Sequence, residues 1–182
     1  MIHGVWRKHL YNTQLIRMKK PERIDSSPLK QMTVLLAEDN ATFRKSLKLL
    51  IALDGKIQVV GEAKDGLEAV QLARILKPEV IVMDIAMPLL NGLQATQTIL
   101  KAYPGIRVLM LSAHPDPEYI QQAMHFGASG YLIKQSSTEF LARAIREVLN
   151  GRTYFSASIS RKLRDESQIV FEKHEAAKKK AA

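Results

Sequence analysis

Glu38 and Asp39, Asp84, Ser112 and Lys134 each stand directly after a short apolar run: VLLA, VIVM, VLML and YLI in turn. If those four segments meet, they form a nest of three carboxylates with one ammonium and one hydroxyl. Carboxylates held together repel, and a raised pKa or a bound cation must relieve the repulsion. An all-oxygen donor set suits Mg²⁺, which takes hard oxygen ligands and keeps several of its waters. A divalent ion, a lysine and a hydroxyl around one carboxylate are the parts needed for phosphoryl transfer. The cations balance charge on the equatorial oxygens, the hydroxyl donates a hydrogen bond, and the carboxylate is the nucleophile. Singly, each residue has a plainer reading. An Asp at a strand end is commonly a helix cap or turn former, Glu38-Asp39 would cap the first helix, and Lys134 would be surface charge. The joint placement favours the functional reading.

The elements that must position these groups have a clear rhythm. Apolar, β-branched runs begin at Val34, Ile57, Val80, Val108 and Tyr131, spaced 23, 23, 28 and 23 residues apart. Each interval fits one helix and two short loops. Runs that are apolar on both faces and joined by helical crossovers describe a buried parallel sheet. The intervals carry helical periodicity, with Phe43, Leu47, Leu50 and Ile51 on one face and Leu141, Ala144, Ile145, Val148 and Leu149 on another. Asp116-Pro117 reads as an N-cap and first-turn pair, Pro78 and Pro104 end helices, and Ser136 with Glu139 reads as a capping box before the last helix, which closes at Asn150-Gly151. The expected fold is α/β, a flavodoxin-like doubly wound, five-stranded parallel sheet of order 2-1-3-4-5 with helices on both faces. In such a sheet ligands bind at the carboxyl ends of the strands, which is where the reactive groups lie.

Charge divides the 182 residues into three parts. Residues 1–31 carry +5, residues 32–151 balance twelve basic against twelve acidic side chains, and residues 152–182 carry +4, for a total of +9. A domain that grips nucleic acid would be expected to carry its basic face on the folded part, so direct DNA binding by this chain is not expected. The domain is therefore placed at 32–151, between a basic N-terminal extension and a basic, partly helical C-terminal tail. Trp6, Leu10 and Ile16 could form a membrane-surface helix, but extension or linker is the preferred reading. Cys is absent, which removes disulfides and thiolate chemistry. No apolar run is long enough to span a bilayer and no secretory signal is evident, so the expected location is the cytoplasm.

The stretches VLLAEDN, VIVMDIAMPLLNG, VLMLSAH and GASGYLIK resemble the receiver domain of two-component response regulators over about residues 33–151. The resemblance implies that Asp84 is the phosphoacceptor, charged by a sensor histidine kinase or phosphotransfer protein. It implies that Glu38 and Asp39 are the acidic pair, and that the metal, Mg²⁺, is bound by this pair with Asp84 and the backbone carbonyl of Ala86. Ser112 becomes the switch hydroxyl, Lys134 the phosphate-pairing lysine and Tyr131 the switch aromatic, expected to rotate inward when Ser112 moves toward a phosphoryl group. A phosphorylation-dependent homodimer or a downstream protein partner would read the change. The resemblance also implies that the chain takes part in its own Mg²⁺-dependent phosphorylation and dephosphorylation and is not a conventional enzyme.

Some positions depart from the commonest receiver pattern. Gln135 replaces the proline usual after the lysine, and Ala86 and His114 occupy the positions that tune acyl-phosphate lifetime. YLIKQSS, REVLNGRTYFS and ASISRKL are similar to LuxR-type (NarL/FixJ) regulators, in which such a stretch leads to a DNA-binding domain. Only 31 residues follow Gly151, so the expectation is a stand-alone receiver, with a receiver fragment lacking its effector domain as the alternative. A nucleotide- or flavin-binding enzyme lacks its glycine-rich loop, since AEDNATF stands after the first strand. A phosphatase with an Asp nucleophile would want a second acid where Ala86 stands.

Overall fold

The computed structural model describes residues 31–113, 115–161 and 163. Residues 1–30 with Trp6, Leu10 and Ile16, the tail beyond 163, and His114 lie outside the described residues. Strands and helices alternate: β1 Met32–Ala37, α1 Ala41–Ala52, β2 Ile57–Ala63, α2 Gly66–Leu76, β3 Val80–Asp84, α3 Gly92–Ala102, β4 Arg107–Ser112, α4 Pro117–His125, β5 Gly130–Ile133, α5 Ser137–Leu149 and β6 Tyr154–Phe155. The sheet is parallel throughout in the order β2-β1-β3-β4-β5-β6. Five strands take the expected order. The sixth is a correction: two residues after Gly151 pair with β5 and extend the sheet by one strand.

The apolar runs are continuous because each strand feeds two cores. In β3, Val80 and Val82 face Leu47 and Ile51 of α1 and Leu141, Ile145 and Val148 of α5. Ile81 and Met83 face the opposite cluster, with Ala69 and Ala73 of α2, Leu93 and Ile99 of α3 and Ile120 of α4. Truncating one such fully buried Leu or Ile to Ala typically costs about 2–5 kcal/mol.

The strand-to-helix turns are capped by their own residues. Asn40, Asp65, Asn91 and Asp116 accept hydrogen bonds from the first-turn amides of α1, α2, α3 and α4, each cap contributing about 1 kcal/mol. The capping box at Ser136 and Glu139 does not form. Lys134–Ser136 make a 3₁₀ turn ahead of α5, and Ser136 Oγ donates to the Ile133 carbonyl at 3.0 Å instead of accepting a helix amide.

Candidate functional site

The caps settle the plainer reading of the acidic pair. Asn40 caps α1 through its Oδ1, 3.0 Å from the Phe43 amide. Glu38 and Asp39 therefore do not cap this helix and are available at the end of β1. Glu38 is buried and Asp39 exposed. Asp84, at the end of the central strand β3, is 2 % exposed. One oxygen from each of the three carboxylates lies within 4.8 Å of the others.

Lys134 enters from the end of β5. Its Nζ is 2.9 Å from Asp84 Oδ2 and 2.9 Å from Glu38 Oε2. Both oxygens are buried and lack a well-aligned hydrogen bond, so the ammonium faces them as an ion pair and leaves acceptor capacity unused. The Phe43 ring lies beneath the ammonium, 5.2 Å from Nζ to the centroid, a cation–π contact worth roughly 0.5–1 kcal/mol. Burial pushes the Glu38 carboxyl above its ordinary range and the charge of Asp84 adds to this, while Lys134 and the Asn40 amide pull it back. Burial works against the charge on Lys134, but its contacts with Glu38 and Asp84 outweigh burial and hold it above its usual value.

Ser112 closes β4 and is nearly buried. With Asp84, Ile85, Ala86, Ala113, Asp116, Tyr119 and Lys134 it borders a cavity of about 180 Å³. Tyr131 is fully buried, with its hydroxyl hydrogen-bonded to Ser112. Burial raises the pKa of the Tyr131 phenol and the Ser112 bond opposes that rise. In this structure Tyr131 lies inward, within the apolar cluster on that face of the sheet.

Sequence reasoning missed several supporting groups. Arg44 Nη1 donates to the Glu38 carbonyl at 2.5 Å and its Nε pairs with Glu62 at 3.3 Å, which fixes the turn that presents the acidic pair. A Cβ on Gly92 would meet the Asp84 carbonyl oxygen at 1.9 Å, and one on Gly66 would meet the Leu90 carbonyl oxygen at 2.0 Å. The loop from Ile85 to Asn91 is thus pressed between two glycines that tolerate close backbone approach. Gly92 was readable in VIVMDIAMPLLNG as punctuation, but its reach back to Asp84 is not encoded by spacing.

Three carboxylates against one ammonium leave about two negative charges uncompensated, and two of the oxygens have spare lone pairs. The donor set is all oxygen, which fits a hard divalent cation. The arrangement can hold such an ion beside Asp84 and receive a tetrahedral anion in the adjoining cavity.

A family model described as the response regulator receiver domain matches residues 34–146. Transcriptional regulatory protein DegU of Brevibacillus brevis is 35 % identical over 133 residues, covering 73 % of this chain and 56 % of that protein. The chain thus spans little more than half of that relative's length. The signal receiver domain of the putative response regulator NarL from Mycobacterium tuberculosis superposes with a TM-score of 0.65 at 33 % identity, covering 68 % of this chain and 99 % of the other. A LuxR-family two-component response regulator from Aurantimonas gives 0.73 at 31 % identity, covering 75 % and 98 %.

Proposed function

The chain belongs to the response regulator receiver domain family, in its LuxR-type branch, and we propose that Asp84 is the residue through which it receives a phosphoryl group. Members of the family are phosphorylated signalling proteins rather than conventional enzymes, and they bind Mg²⁺ at an acidic pocket. On our reading a carboxylate oxygen of Asp84 attacks the phosphorus of a phosphohistidine on a sensor kinase or phosphotransfer protein. The phosphorus–nitrogen bond breaks, its electron pair leaves with the imidazole, and an acyl phosphate remains on Asp84.

Glu38, Asp39, Asp84 and the Ala86 carbonyl would hold the metal, which when bound supplies positive charge to the phosphoryl oxygens. Lys134 would pair with a phosphoryl oxygen, releasing part of its hold on Asp84. Ser112 would donate its hydroxyl proton to another. What supports the reading is the buried contact between Asp84 and Lys134 at 2.9 Å beside two further carboxylates. Ala86 offers no side chain to position a water, so it does not itself promote hydrolysis of the adduct.

Incubation with phosphoramidate and Mg²⁺ followed by peptide mapping tests the assignment. The expected result is one base-labile adduct on Asp84 that Asp84→Ala abolishes; an adduct that survives this change refutes it. We place the chain in the cytoplasm with its kinase, and its output in a protein contact or a phosphorylation-dependent homodimer. No helix among the described residues is long and apolar enough to cross a membrane.

The partial coverage of DegU, named as a transcriptional regulatory protein, favours a second reading in which output runs through a DNA-binding portion that is not among these residues. Sequencing the gene beyond Ala182 distinguishes the two. A downstream helix-turn-helix reading frame supports the second, and a stop codon supports the first.

A further inference from the structure

β5 would be the open edge of the sheet were it not covered by the chain's own continuation. β6 pairs Tyr154 with Gly130 and Phe155 with Tyr131. The amide of Tyr154 donates to the Ser129 carbonyl and that of Ser156 to the Tyr131 carbonyl, each at 3.2 Å. Residues 157–161 are then helical. Ile159 is fully buried in the same apolar cluster as Tyr131 and Ile120, with Phe155 and Leu163 packed against it. The strand beneath is shaped for this cover. A Cβ on Gly130 would meet the Tyr154 carbonyl oxygen at 2.7 Å, so only glycine lets β6 approach.

Tyr131 is therefore gripped from two sides, by the C-terminal segment through its main chain and ring and by Ser112 through its hydroxyl. A serine hydroxyl has one donor and two acceptor sites. A Ser112 hydroxyl turned to donate to a phosphoryl oxygen would accept from Tyr131 through its lone pairs, and hydrogen bonds chained in this way strengthen one another.

We propose that residues 154–161 with Leu163 are the internal partner of the Tyr131 face, and that a phosphoryl group on Asp84 tightens their docking on β5. The inference rests on the reading of Asp84 as acceptor. The output of the switch is then first read within the chain, as the order of the segment that follows the domain. A second copy or another protein meets a β5 edge already occupied. Because coupling is reciprocal, loosening the segment weakens the affinity of the acceptor site for a phosphoryl mimic by the same factor that the mimic tightens the segment.

Amide hydrogen exchange on the full chain in Mg²⁺, with and without beryllofluoride as the mimic, tests this. Protection of Tyr154 and Ser156 is expected to rise about tenfold on adding beryllofluoride, within the usual range of coupling between sites. Gly130→Ala and Ile159→Asp should each leave both amides poorly protected and lower beryllofluoride affinity by a similar factor. Tyr131→Phe should keep the segment docked but abolish the rise. Beryllofluoride binding by the wild type with no change at Tyr154 and Ser156 overturns this inference alone, as does unchanged affinity in both segment variants. Absence of any beryllofluoride binding by the wild type overturns the reading of Asp84 and this inference with it.

Discussion

Among the described residues, Asp84 shares a buried nest with Glu38 and one paired ammonium, that of Lys134. Replacing Asp84 by Asn relieves part of the repulsion, so the metal-free chain should gain about 1 kcal/mol in denaturant unfolding. The same variant should lose most of the Mg²⁺-dependent stabilisation seen in the wild type; a variant less stable than wild type without metal contradicts the charge count. Glu62 is the opposite case. Lys48 at 2.6 Å, aided by Arg44, holds its carboxyl below the ordinary 4.5, against the opposing effect of burial. A lowered folded value contributes stability above about pH 4.5 that is lost as the pH falls through it. Glu62 is partly exposed, so the gain is a few tenths of a kcal/mol. Unfolding curves of Glu62→Gln and wild type should differ at pH 7 and draw together as the pH falls below 4.5. Asp84, Ser112 and Lys134 were legible because a polar residue ending an apolar strand points to the carboxyl edge of the sheet. Phe43 and Arg44 were not: the same helical periodicity reads Phe43 as core, and only the folded chain brings the Lys134 side chain over its ring.

At the level of elements, the β3–α3 loop carries the most constraint. Leu89 has φ +65°, a left-handed backbone that costs a non-glycine residue roughly 1–2 kcal/mol. Its side chain is exposed and gives little packing in return. Leu89→Gly should therefore stabilise the chain by up to about 1 kcal/mol in thermal unfolding. Gly92→Ala should destabilise it by about 1–3 kcal/mol through overpacking against the Asp84 carbonyl. It should also slow phosphoramidate labelling of Asp84, which the first substitution leaves unchanged. The five long strands and their helices were readable from spacing because each run is apolar on both faces. β6 was not, because a two-residue strand has no period to detect; its trace lies in Gly130, whose missing side chain makes room for it. The Ser136 capping box failed because the 3₁₀ turn after Lys134 gives that hydroxyl a nearer carbonyl.

Across the whole molecule, the charge excess and the folded core are kept apart. Residues 1–31 contribute +5 while residues 32–151 are neutral. Any affinity for a polyanion such as heparin should therefore fall steeply with salt and come chiefly from the two basic ends. Removing residues 1–30 should reduce the slope of log affinity against log salt by up to about four, measurable by fluorescence anisotropy. An unchanged slope places the contact on the basic C-terminal residues or the folded part. The flavodoxin-like order was readable at this scale because right-handed crossovers leave few topologies to a domain of this size and strand spacing. The division of the core into two faces also sets a timetable. Leu47 and Ile51 of α1 are covered by Leu141, Ile145 and Val148 of α5, and Asp54 just after α1 is paired with Arg146. During synthesis the first helix has only the strands beneath it, without its α5 neighbour, until about residue 149 has left the ribosome. The side of the sheet built first is completed last, and a chain stalled before α5 presents that bare leucine and isoleucine surface to chaperones and proteases.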